Sequence, residues 1–124
     1  MYTLYFLYNK RTMAKKSMEV GFEIVALAGD ARTIYLQTLE LLKEYKKATP
    51  ERKNEIINEI NNNKKEAGDL LVQCHQKQTD LLQAEARGED TDMSYLMVHA
   101  QDHLMTTLLL KEMLEVFIDL YIEK

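Results

Sequence analysis

Residues 96–122 read LMVHAQDHLMTTLLLKEMLEVFIDLYI. Apolar side chains cover nearly the whole circumference of a helix drawn on this stretch, and in a soluble protein such a helix has to be buried on more than one side. Two partner helices from the same chain cannot supply that cover. The segment therefore predicts a helix capped by Asp92 or Ser94 and running to about Tyr121, with a second, intermolecular interface along it.

Working back from it, two further helices come into view. From Ser17 to about Ala48, apolar residues recur at steps of three or four through Val20, Ile24, Ala28, Ala31, Tyr35, Leu39, Leu42 and Tyr45. Gly21 and Gly29 interrupt the pattern, and since each costs about 1 kcal/mol against Ala in a helix, both predict close approach of a neighbouring backbone. Thr49-Pro50-Glu51 reads as the next helix start, with a capping hydroxyl, a proline that needs no donor and an acid at the positive end of the dipole. Ile56, Ile60, Ala67, Leu70, Leu71, Cys74, Leu81 and Leu82 mark its inner face, and Arg87-Gly88 its stop. Asn61 to Asn63 predict a weak turn or fraying within it. The expected fold is all-α, an antiparallel three-helix bundle.

Composition excludes several classes of function. A length of 124 residues is one domain, and 4 Gly with 1 Pro are too few for a many-turned β fold. A net charge of −4 leaves no basic excess for nucleic acid. Cys74 is alone, so it forms neither an internal disulfide nor a zinc pair, which suits a reducing cytoplasm. It reads as a small buried hydrophobe. The run Tyr2 to Tyr8 (YTLYFLY) has no basic segment before it and no cleavage site after it, and is far shorter than the ~20 residues of a membrane span. Residues 1–16 are read as an N-terminal extension, disordered or outside the fold, and 17–124 as the helical domain.

The chemistry concentrates in the last helix. His99, Asp102, His103 and Thr106 lie at offsets of zero, three, four and seven, which places them on one face, continued by Leu110, Met113 and Phe117. Ionisable groups in a helix seam are unfavourable unless paired or coordinated. The residues alone leave two readings open: hydrogen-bonded interface histidines, or a metal site. One chain has too few ligands for closed zinc, so metal requires several chains to converge. His75, beside Cys74, reads as a core-edge histidine on the inner side of the second helix.

Three blocks carry a resemblance: GFEIVALAGDAR at 21–32, HQKQT at 75–79 and VHAQDHLMTT at 98–107. Together they resemble the IIA component of the lactose, cellobiose and diacetylchitobiose family of the bacterial phosphoenolpyruvate-dependent sugar phosphotransferase system. The likeness spans about Met18 to Tyr121, and the last block is the specific one. The stretch from Tyr45 to Lys65 reads as longer than in typical relatives, and the run before Met13 has no counterpart. The resemblance implies a cytoplasmic homotrimer of three-helix bundles. It would accept a phosphoryl group on His99 from the histidine phosphocarrier protein and pass it to a cysteine of the IIB component, serving uptake of a β-linked, cellobiose-like disaccharide. It further implies that Asp102 lies at the trimer axis around a divalent cation, Mg²⁺ by its oxygen ligands, with Gln101, His103 and His75 in supporting positions. No organic cofactor, nucleic acid or membrane insertion is expected.

Imidazole suits such a relay because its neutral form is nucleophilic and abundant near pH 7. Transfer between positioned side chains is mainly geometry and charge stabilisation, so no glycine-rich phosphate loop is needed, and none is present. Two other functions compete. A histidine phosphotransfer module of two-component signalling expects a Lys three residues after the His and a small residue next, where Asp102 and His103 stand here. A metal-stapled helical adaptor would share the scaffold without phosphoryl chemistry.

Overall fold

The computed structural model describes residues 2–91 and 94–122; between residues 2 and 16 it describes the backbone and the Leu4 side chain. Three helices account for them: α1 (Tyr2–Tyr45), α2 (Pro50–Ala86) and α3 (Tyr95–Tyr121). The ends of α2 and the start of α3 follow from local chemistry. Thr49 Oγ1 accepts the amide of Arg52 at 3.2 Å ahead of Pro50. At the other end Gly88, at φ 83°, turns the chain while its N–H reaches Glu85 O and that of Glu89 reaches Ala84 O, satisfying the last carbonyls. Ser94 Oγ caps α3 by accepting the Met97 amide at 3.1 Å. Asp92, the other candidate cap, lies outside the described residues.

Helix α1 is the middle element. Its buried line, Ile24, Ala28, Ala31, Tyr35, Thr38 and Leu42, advances by alternating steps of four and three and packs on both neighbours. Helix α2 contributes Ile56, Ile60, Ala67, Leu71 and Cys74, and α3 contributes Met97, Ala100, Leu104, Thr107 and Leu114. Each fully buried Leu or Ile stabilises the fold by roughly 1.5–3 kcal/mol. Cross-links fix the directions. Asn63 donates to Thr38 Oγ1 at 3.2 Å and Cys74 to Ile24 O at 3.7 Å, so α2 runs antiparallel to α1. Gly21 sits against Leu96 and Met97, and Lys46 lies over the Tyr121 ring, so α3 runs parallel to α1. Helices α2 and α3 approach each other at few points, two of them polar: Gln78 donates to Gln101, and Lys64 pairs with Glu115 at 2.9 Å.

Five expectations need correction. Leu82, read as part of the inner face of α2, is 57% exposed. The first helix begins at Tyr2, fifteen residues before Ser17, because no Gly or Pro separates the two and Ala, Lys and Met continue a helix well. The backbone of 2–16 is thus helical rather than irregular. The Asn61–Asn63 turn does not form; Ile60 and Ala67 anchor the helix on either side, and Asn63 is held by Thr38. Neither glycine meets a neighbouring backbone: Gly29 has open space where a Cβ would go, and at Gly21 a Cβ would meet the side-chain atoms Leu96 Cγ and Met97 Sδ at 3.2 Å. His75 faces solvent instead of the core edge, since Cys74 takes the inward position beside it.

Candidate functional site: the histidine face of α3

The outward side of α3 is as ordered in sequence as its buried side. Val98, Met105, Leu109, Met113, Val116 and Leu120 are exposed, at 46–71% of their surface. Their spacing, completed by Asp102 between Val98 and Met105, is a run of threes and fours that keeps one line along the helix opposite the core face. This apolar ridge is what a coiled-coil seam requires, and Asp102 is its one charged position between Val98 and Leu109. The carboxylate is exposed in the single chain.

His99 and His103 flank the ridge. His99 is exposed and His103 half-buried, with ring centroids 4.6 Å apart and planes at 80°, an edge-to-face arrangement one helical turn long. Thr106 lies on the same flank, but its hydroxyl donates to Asp102 O at 2.7 Å, and Thr107 donates to His103 O at 2.6 Å. Both hydroxyl protons are therefore spent on α3's own backbone. What faces outward is an accessible imidazole, a second imidazole braced against it, and a carboxylate beside both.

The other candidates lie elsewhere. Gln101 points to α2, where its amide oxygen accepts from Gln78, so it holds the two helices together at the level of the histidines. His75 is on α2, exposed. Cys74 is fully buried, and burial pushes its thiol up from the ordinary 9.0, with Lys77 pulling weakly the other way. A thiol held protonated is no nucleophile. Among the described residues, no three His, Cys, Asp or Glu side chains of the chain group closely enough to hold a metal ion. Asp102 fits a hard cation by its donor chemistry and its place on the ridge, where copies brought together would converge their carboxylates. Gln78 was not singled out as a partner of Gln101, and no periodicity within one helix could have paired them.

An all-helical scaffold that displays a histidine pair and an aspartate along an exposed apolar ridge, with no nucleotide loop, defines a helical protein that carries its chemistry on one helix face. Comparison with known proteins places it more closely. The family described as PTS system, lactose/cellobiose specific IIA subunit, matches residues 19–122. The lactose-specific EIIA component of Staphylococcus epidermidis is 44% identical over 104 residues, 82% of this chain and 88% of that protein. That of Streptococcus mutans is 42% identical over 102 residues, with the same coverage. Among solved structures, the cellobiose-specific enzyme IIA from Bacillus anthracis superposes with a TM-score of 0.72 at 33% identity, covering 85% of this chain and 87% of that one. PtcA from S. mutans gives 0.75 at 37%, covering 87% and 96%. The chain belongs to the lactose/cellobiose-specific IIA family, and so is a phosphoryl-transferring component of a sugar phosphotransferase system.

Proposed function

We propose that the protein relays phosphate through His99. A neutral ring nitrogen of His99 attacks the phosphorus of the phosphorylated histidine phosphocarrier protein; one N–P bond forms as the donor's N–P bond breaks. In the second transfer a IIB cysteine thiolate attacks, its S–P bond forms, and His99 leaves with its electron pair restored. Its exposure on the flank of α3 is the observation that carries this reading, because both in-line approaches need an unobstructed imidazole. His103, edge-on at 4.6 Å, restrains the ring. The sugar served is a β-linked disaccharide, cellobiose-like, and the relay works in the cytoplasm. That no helix of the described residues is long and apolar enough to cross a membrane agrees with this.

The active unit is a homotrimer formed by residues 17–124, with residues 1–16 an extension of it. Three copies of α3 pack along Val98, Met105, Leu109 and Val116, which supplies the second burial that this helix requires. Asp102 of each copy then meets at the axis and would hold a divalent cation, Mg²⁺ by its preference for carboxylate oxygens. Such an ion supplies charge neutralisation among three like charges and no part of the transfer. The test is reconstitution with phosphoenolpyruvate, enzyme I, the phosphocarrier protein and IIB. Phosphate reaching the IIB cysteine only when this chain is present is the expected result; transfer that proceeds equally without it would defeat the proposal.

A further inference from the structure

The family match begins at residue 19, so the stretch before it is not explained by the shared fold. That stretch differs sharply from the rest of the chain. The first 18 residues carry Lys10, Arg11, Lys15 and Lys16 and no acid, whereas the remainder holds 12 basic against 20 acidic residues. Four of the ten aromatics, Tyr2, Tyr5, Phe6 and Tyr8, stand in its first two turns. Helix α1 runs unbroken from Tyr2, and at Ser17 it is level with Ala84, Arg87 and Thr91 at the close of α2. A rise of 1.5 Å per residue carries Tyr2 about 22 Å beyond that level. Leu4, in this projecting part, is 73% exposed.

We infer that residues 2–16 are a peripheral anchor which seats the N-terminal end of α1 on an anionic lipid surface. The aromatic run is about 10 Å of helix, too short to span a bilayer and matched to the depth of the headgroup layer. Tyrosine rings favour that layer, and its water can satisfy the free amides of the first turn. Lys10 and Arg11 follow within about 5 Å of helix, inside a Debye length of the lipid phosphates, Lys15 and Lys16 stand about 10–12 Å on, just past it, and the acidic body begins beyond them. An anionic membrane complements this charge division; an acidic protein body alone would be repelled. Because α3 is parallel to α1 and Gly21 is level with Leu96, His99 stands about 33 Å along the helix from Tyr2, clear of the lipid.

The inference is independent of His99 phosphorylation. The full chain is sedimented with vesicles of phosphatidylglycerol and phosphatidylcholine, and with phosphatidylcholine alone. Two variants accompany it: K10Q/R11Q/K15Q/K16Q, and Y5S/F6S. Binding to the mixed vesicles is expected, weakened about fivefold for each of Lys10 and Arg11 neutralised and less for Lys15 and Lys16, weakened also in Y5S/F6S, and abolished near 0.5 M salt. Circular dichroism and oligomeric state establish that each variant is folded. No binding to the anionic vesicles, equal binding to both kinds, or unchanged binding by the quadruple variant overturns the inference. So does a quadruple variant that loses phosphoryl passage to IIB in the absence of lipid, since the segment would then serve a protein partner.

Discussion

The ring of His103 stands edge-on to that of His99, 4.6 Å away and at 80°, one turn further along the same flank of α3. The pair separates two roles that spacing alone leaves merged. In the proposed relay the exposed ring reacts and the half-buried one limits its rotation. His103→Gln should therefore slow phosphorylation about ten- to hundredfold, the scale of a misplaced reacting group, without abolishing it. His75→Gln, on another helix and exposed, should leave the rate unchanged. Quenched-flow labelling of the three proteins measures this, and equal loss in both variants would refute the assignment.

The ridge on α3 predicts how copies assemble. Met105 and Leu109 are 56% and 55% exposed at its centre. Placing Glu at either position would introduce like charges into the proposed seam between copies. If α3 forms the proposed trimer seam, Met105→Glu or Leu109→Glu should leave the chain monomeric in analytical ultracentrifugation, while Val72→Glu, at an exposed apolar position of α2, should not.

Asp102 is expected to hold the cation and to take no part in the transfer. Asp102→Ala should abolish Mg²⁺ binding in calorimetry and leave a protein that is still phosphorylated. Loss of phosphorylation with the trimer intact would move Asp102 into the transfer chemistry.

Tyr35 is buried with its hydroxyl unpartnered among the described residues. Replacing it by Phe removes a desolvated polar group, so stability should rise by about 1 kcal/mol in urea titration. The alkaline limb follows from the same burial. Desolvation, with the Glu115 charge adding, raises Tyr35 above 10.0, and desolvation raises Cys74 above 9.0. The unfolded chain releases these protons first, so stability is lost as pH climbs past about 9 and again past about 10. Cys74→Ala should lose the first of these steps.

Two glycines should respond in opposite directions. A side chain at Gly21 meets Leu96 and Met97 at 3.2 Å, so Gly21→Val should cost about 1–3 kcal/mol. Gly68 faces open space on α2, and Gly68→Ala should add up to about 1 kcal/mol. Thermal unfolding of both variants checks the pair.

Much of the fold was legible because the apolar period, the Thr49-Pro50 start and the Gly88 stop each act locally. Boundaries failed where nothing local marks them. The stretch from Tyr2 to Ser17 contains no breaker, so the helix continues through it. Asn61 to Asn63 are poor helix formers individually, but a tertiary hydrogen bond to Thr38 outweighs that preference. The histidine block was visible as one face, yet its division was not. Apolar residues all round α3 conceal which line meets α1 and which meets solvent; only the packing of Ala100, Leu104 and Thr107 inward sets Val98, Asp102 and Met105 outward. The Gln78 to Gln101 tie depends on the α2–α3 register, which no single-helix pattern contains.

The central claim is that His99 carries the phosphate. Intact-mass measurement after incubation with phosphoenolpyruvate, enzyme I and the phosphocarrier protein, followed by neutral-pH peptide mapping, tests it most directly. The account predicts a gain of one acid-labile phosphoryl group per chain, located on His99 and absent from His99→Gln. A wild-type chain that gains no mass, or a His99→Gln chain that gains the same mass, would contradict it.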